Sequence, residues 1–269
     1  MRKNARSRLA AVAASGLVAA GLALAWWLRP FPAPEPGRAV ASFGPDKPGA
    51  APTTVEVYAN DFQGAPYAGF PGWSSSAISF ENRFGLPVSG KLDAPPIAVV
   101  QAPKTGRWFL GEFGGPRLDP TARTRVRQAA RLKLDDLPKH TKATVAFDLL
   151  ILKSWDGNSP RYGPDRWSLK VEGGPTLLDS TFSNNPKVEA EGSDQDYPKP
   201  ASKPRSGAAS AGTLGYNFFG DSIYRLSFTF PHQARKLALE FAGDLFEGKG
   251  EPDESWGLDN VSVKVDRPK

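Results

Sequence analysis

The chain has 269 residues, no cysteine, two histidines and a formal net charge of +6. Without cysteine there is no disulfide, thiol-attached haem, zinc ribbon or Cys nucleophile, and two histidines exclude a histidine-rich metal site. Arg2, Lys3, Arg6, Arg8 and Arg29 all precede Glu35, the first acid; removing those five from +6 leaves +1, so the remaining chain has no electrostatic reason to bind nucleic acid.

In chain order, Met1 to Arg8 is basic and Leu9 to Leu28 carries no charge. Twenty such residues in a helix rise about 30 Å, enough to span a bilayer core. Trp26 and Trp27 suit an interfacial belt, and the basic flank places the rest of the chain outside the cytoplasm. Residues 1–29 are therefore expected to be a signal anchor, or a signal peptide cut after Ala23-Leu24-Ala25. Residues 30–53 are rich in Pro, Ala and Gly and predict an extended tether.

Residues 54–266 are predicted to form one antiparallel two-sheet β-sandwich, all-β and jelly-roll-like. The chain holds 16 Phe, 7 Trp and 6 Tyr among 27 Gly and 26 Pro, a composition of aromatic strands and tight turns. Val55-Glu56-Val57-Tyr58 opens the domain. Val145, Phe147, Leu149 and Ile151 line one face of a long strand whose other face is less uniform. Period-two alternation returns at Trp167–Val171, Tyr224–Phe230, Leu237–Phe241 and Val261–Val265, each with one dry and one wet face. A strand, a corner with Pro and His, then another strand occurs around Pro138-Lys139-His140 and again around Pro231-His232; it is too short to be a repeat.

Two segments interrupt the pattern. Arg117, Arg123, Arg125, Arg127, Arg131 and Lys133 form a basic run, read as a solvated face or as a patch for anionic polymers or lipid headgroups. Residues 184–212 are polar, with four prolines and a Ser/Ala/Gly run, and predict a flexible insertion.

Three acidic clusters carry the candidate chemistry. Asn60-Asp61-Phe62-Gln63-Gly64 follows the first strand. Ser154-Trp155-Asp156-Gly157 follows the long strand and leads to Asp165-Arg166-Trp167. Asp253-Glu254-Ser255-Trp256-Gly257-Leu258-Asp259-Asn260-Val261 opens the last strand. In the middle cluster, Trp155 and Tyr162 offer aromatic faces to a sugar ring, and Asp156 and Asp165 offer acceptors to its hydroxyls. The alternative is a tight Asp-Gly turn around a packed Trp.

The first and third clusters resemble jelly-roll modules of exported proteins, the MAM, concanavalin-like and carbohydrate-binding sandwiches. The resemblance implies that first and last strands lie side by side with a structural calcium ion where their acidic ends meet. Asp61, Gln63, Asp259 and Asn260 are then its ligands, since Ca²⁺ takes six to eight oxygens. Gln63 stands where these modules usually have Glu, which lowers the charge of such a site. The alternative is that Asp61 and Asp259 cap turns through Asx hydrogen bonds.

No Glu-x-Asp-x-x-Glu hydrolase run, phosphate loop or Gly-x-Ser-x-Gly elbow is present, and neither histidine lies in a recognisable triad. The sequence therefore predicts no catalytic residue. It points to an envelope module, tethered or secreted, that recognises a glycan or protein. A purely structural envelope protein and a glycoside hydrolase on a concanavalin-like fold are the alternatives.

Overall fold

The computed structural model describes residues 53–63, 70–82, 86–87, 92–114, 124–187, 192–247 and 253–268. The expected membrane segment, nearly all of the tether, and Arg117 and Arg123 lie outside the described residues. Among the described residues there is no helix. The strands are β1 (Thr54–Asn60), β2 (Trp73–Ser75), β3 (Ser79–Asn82), β4 (Val99–Gln101), β5 (Trp108–Phe113), β6 (Thr124–Leu134) and β7 (Lys142–Lys153). They continue with β8 (Arg166–Val171), β9 (Thr176–Thr181), β10 (Ser210–Ala211), β11 (Asp221–Pro231), β12 (Leu237–Glu247) and β13 (Glu254–Asp266).

These strands make two antiparallel sheets. The first runs β10-β11-β7-β13-β5-β4, with β1 also on β13; the second runs β2-β6-β12-β8-β9, with β3 also on β6. Their inner faces meet in one core. Val145, Phe147, Leu149 and Ile151 of β7 belong to the same buried cluster as Trp167 and Leu169 of β8 and Leu239 and Phe241 of β12. At about 1.5–3 kcal/mol per buried large side chain, this layer is what holds the sandwich closed without disulfides. The alternation read from the sequence is thus the inner and outer face of each strand.

On β7 the outer face is buried as well. Leu150 and Leu152 pack with Phe109, Leu214 and Ile223. Leu214 comes from the connection before β11, so a loop covers this part of the sheet. A strand buried on both faces reads as a nearly continuous apolar run, which is why Leu149-Leu150-Ile151-Leu152 does not alternate.

The outer face of the second sheet is charged. Arg125 pairs with Asp244 at 3.0 Å, while Arg127 and Arg131 both pair with Glu240, at 3.0 and 2.7 Å. Arg125, Arg127 and Arg131 of the basic run are thus part of an ion-paired sheet face.

Residues 184–212, expected as a flexible insertion, send several side chains into the body. Asn184, Asn185, Ser193 and Gln195 are buried. Asn184 Nδ2 donates to the carbonyls of Ile151 and Lys153, at 3.1 and 3.0 Å. Gln195 Oε1 accepts the N–H groups of Ser183 and Arg205, at 3.1 and 2.9 Å. Polar composition reads as disorder, yet the same side chains satisfy the backbone of a packed irregular segment.

Candidate functional site

The expected calcium ligands lie at a junction in the first sheet. First and last strands are neighbours, with Asn60 opposite Val261. β5 flanks the same edge of β13 further along, with Leu110 opposite Leu258. Between them β13 bulges at Asp259 and Asn260, and Asn260 has a left-handed backbone with φ of 50°. Gln63 splices the two flanking strands: its Nε2 donates to the Trp108 carbonyl at 2.6 Å, and its Oε1 accepts the Trp108 N–H at 3.1 Å.

Each of the four predicted ligands has a protein partner in the structure. The Asp61 carboxylate accepts the Gln63 N–H at 3.1 Å. Both polar ends of Gln63 are spent on Trp108. Asp259 pairs with Arg107 Nε, and Asn260 Nδ2 donates to Asp148 at 2.8 Å. Arg107 Nη2 reaches Asp148 at 2.8 Å. A guanidinium thus holds two buried carboxylates from adjacent strands, and the Asx alternative describes Asp61. Burial pushes the Asp259 carboxyl up to about 6 against the opposing pull of Arg107.

The expected sugar-binding cluster is interior. Trp155 is 0% exposed, packs edge-on against Phe182, and donates from Nε1 to the Ser255 carbonyl at 2.8 Å. It cannot present a face to a ligand, because the Asp-Gly turn folds it under residues 183–185. Asp165 is also fully buried and accepts the N–H groups of Asp156 and Phe246, at 2.5 and 3.0 Å. Asp156, Asp165 and Glu254 each offer a carboxylate oxygen within 4.8 Å of the others. Burial raises the Asp165 carboxyl well above the usual range, and the charge of Asp156 adds to this. The two backbone donors make Asp165 a pin between the turn and β12. Tyr162 is half-buried beside Arg161, whose guanidinium lies 4.9 Å from the ring centre.

A different loop presents an aromatic to solvent. Phe218, in the connection 212–220, is 66% exposed; Leu86 is the other exposed large hydrophobic among the described residues. The buried Asp221 carboxylate accepts three N–H groups of this loop, from Thr213, Leu214 and Gly215, at 2.9, 3.1 and 3.3 Å. Gly215 sits at φ +93°, and a Cβ there would come within 2.6 Å of Lys104. At the far end the Gly220 carbonyl accepts the Lys153 N–H at 2.7 Å, and the Phe219 carbonyl accepts Arg205 Nη2.

Lys153, Arg205, Phe218 and Phe219 all have left-handed backbones, with φ of 69°, 63°, 53° and 69°. Each such residue costs about 1 kcal/mol or more, and such strain gathers at ligand sites. Beside the loop, Glu112 accepts Tyr216 OH at 2.8 Å, Lys153 Nζ at 2.9 Å and Ser255 Oγ at 2.6 Å. Burial would raise the Glu112 carboxyl, but the bonds from Ser255 and Lys153 outweigh it and hold it below its ordinary value. Burial, followed by the Glu112 charge, raises the Tyr216 phenol. The result is an exposed phenyl group on a loop tied down at both ends, whose Tyr216 bonds to the ionised Glu112. The sequence signal was Gly215-Tyr216-Asn217-Phe218-Phe219-Gly220, aromatics inside a glycine-bounded turn where no strand buries them.

No protein-family model and no curated protein matches the chain. Solved structures similar to it include a carbohydrate-binding module described for specific mannan recognition. That match has 14% identity and a TM-score of 0.34, covering 79% of this chain and 98% of that one. A family 35 carbohydrate-binding module from Clostridium thermocellum matches at 8% identity and a TM-score of 0.28, over 62% of this chain and 85% of that one. The K3 adhesin domain of Lys-gingipain from Porphyromonas gingivalis matches at 10% identity and a TM-score of 0.30, over 79% and 99%. Overlaps this partial carry no argument about the site, which stands on its own geometry.

Proposed function

We propose that this protein is an exported, non-catalytic binding module that takes a glycan chain on the Phe218 platform. In this reading the N-terminal segment holds the sandwich at the cell envelope. The observation that carries it is an exposed Phe218 on a loop fixed from both ends despite its unfavourable backbone. An isolated surface aromatic needs no such framing. A sugar ring lays its C–H face on the phenyl ring, while the Glu112 group and the loop backbone supply partners for its hydroxyls. Preorganisation supports binding, because little freedom remains to be lost when the ligand arrives.

Two observations favour binding over hydrolysis. The carboxylates of Asp148 and Asp259 share Arg107 and do not face each other across an open cleft. Asp156, Asp165 and Glu254 are buried beyond reach of a polymer.

The test is affinity electrophoresis of the purified full-length protein through gels containing a panel of cell-wall and plant polysaccharides. At least one polysaccharide retards the wild type. Phe218→Ala weakens that retention at least tenfold and leaves the melting temperature unchanged. Equal retention by the variant, or retention by no polysaccharide, would sink the proposal.

A further inference from the structure

The two histidines, 92 residues apart, touch. His140 Nε2 lies 2.7 Å from His232 Nδ1, and the rings stack with centroids 5.0 Å apart. His140 is 2% exposed, and its Nδ1 lies 2.6 Å from the Pro138 carbonyl. Each histidine belongs to a corner where the chain changes sheets. His140 stands between β6 in the second sheet and β7 in the first, and His232 between β11 in the first and β12 in the second. Since β7 pairs with β11 and β6 with β12, both corners close the same end of the sandwich. The echo of Pro-His corners in the sequence is this meeting.

The hydrogen bonds fix the protons. A carbonyl only accepts, so His140 Nδ1 carries hydrogen and donates to Pro138. In a neutral His140 the Nε2 is then bare and accepts Nδ1–H from His232. One further proton fits on His232 Nε2 without disturbing any of this. A second would sit on His140 Nε2, facing the N–H of His232 at 2.7 Å, and two donors cannot share that distance.

We propose that His140 and His232 form a one-proton clasp, which holds the two sheet-changing corners together and releases them on acidification. The clasp reinforces three backbone bonds: His232 N–H to Thr141 at 3.2 Å, Leu137 N–H to Arg235 at 2.9 Å, and Thr141 N–H to Asp266 at 3.0 Å. The charged groups around it are Asp135, Asp136, Lys139 and Lys142 on the first corner, Arg235 and Lys236 on the second, and Asp266 at the end of β13. Asp136 pairs with Arg235 at 3.0 Å and Asp135 with Lys236 at 3.5 Å. Those pairs are exposed and hold little on their own. Burial, then the neighbouring His140, keeps the His232 ring below its ordinary value, and a hydrogen bond to the Lys236 backbone opposes them. Folding therefore gains from this ring above its unfolded value, near 6.5, and loses that gain as pH falls through the folded value; this is the first proton, which leaves the bond to His140 in place, and release waits for the second.

The experiment is amide hydrogen exchange of the full-length protein between pH 7.5 and 5.0, after dividing out the intrinsic pH dependence. This window lies above the ordinary carboxylate range, and Asp259, which takes up its proton inside it at about 6, adds stability as the pH falls and so cannot produce a loss of protection. Protection at Leu137, Thr141 and His232 falls at least tenfold more than at mid-strand amides. In His232→Asn the fall disappears, because an amide can donate to His140 and, turned over, accept from it. Ring ¹⁵N spectra of the wild type decide the matter if that variant does not fold: they show His140 protonated at Nδ1 and bare at Nε2 at pH 7.5. The opposite tautomer, or equal loss of protection in wild type and variant, overturns the clasp.

Discussion

Arg107→Ala is expected to lower stability by about 3 kcal/mol at pH 8, because it leaves the buried Asp259 carboxylate without its cation and Asp148 with only the exposed Arg225, at 3.8 Å. Asp148 and Asp259 lie opposite each other on β7 and β13, and both are almost fully buried. Arg107 is itself about a quarter exposed, so water screens part of the loss and the upper end of the usual range is not reached. The pH dependence has a definite sign. Asp259 binds its proton more tightly folded, at about 6, than unfolded, near 3.9. Its contribution to stability is therefore complete below the unfolded value and is lost as pH rises through about 6. Without Arg107 the carboxyl moves further up, so the variant's deficit is largest at pH 8 and shrinks towards pH 5. Urea unfolding of both proteins at the two pH values measures this. Equal stabilities at pH 8 would mean that the guanidinium is not what neutralises the bulge.

Trp155→Ala should be worse, costing about 3–5 kcal/mol and on the order of 10 °C in melting temperature. The indole is fully buried, its N–H is satisfied by the Ser255 carbonyl, and its own carbonyl accepts the Asn184 N–H at 2.8 Å. Truncation opens a cavity between the turn after β7, the start of β13 and the 183–185 segment. It also orphans the Ser255 acceptor. Differential scanning calorimetry gives the number. A variant that melts like wild type but no longer binds polysaccharide would return Trp155 to the surface as a ligand platform.

These two residues show what the sequence could tell. Alternation placed Val145, Phe147, Leu149 and Ile151 on one face, because the strand period is fixed by backbone geometry. Motifs at the two ends of the domain placed β1 beside β13, as the pairing of Asn60 with Val261 bears out. What lies over a face is set by distant segments and leaves no local pattern. Leu150 and Leu152 gave no hint that Leu214 covers them. Gln63 bonds to Trp108 and Asp259 pairs with Arg107, but Arg107, between Gly106 and Trp108, carries no pattern in the sequence that marks it as a partner of either. Trp155 in an Asp-Gly turn reads the same whether the ring points in or out. Phe218 was missed because its neighbours are glycine and other aromatics, a composition that period-two reading leaves unassigned.

The most direct measurement is hydrogen exchange of the full-length protein with and without the polysaccharide that retards it. Binding at the Phe218 platform slows exchange only at residues 212–220 and the backbone that ties them down, at Lys153 and Arg205. Slowing on the Arg127–Glu240 face of the second sheet, with 212–220 unchanged, would contradict it.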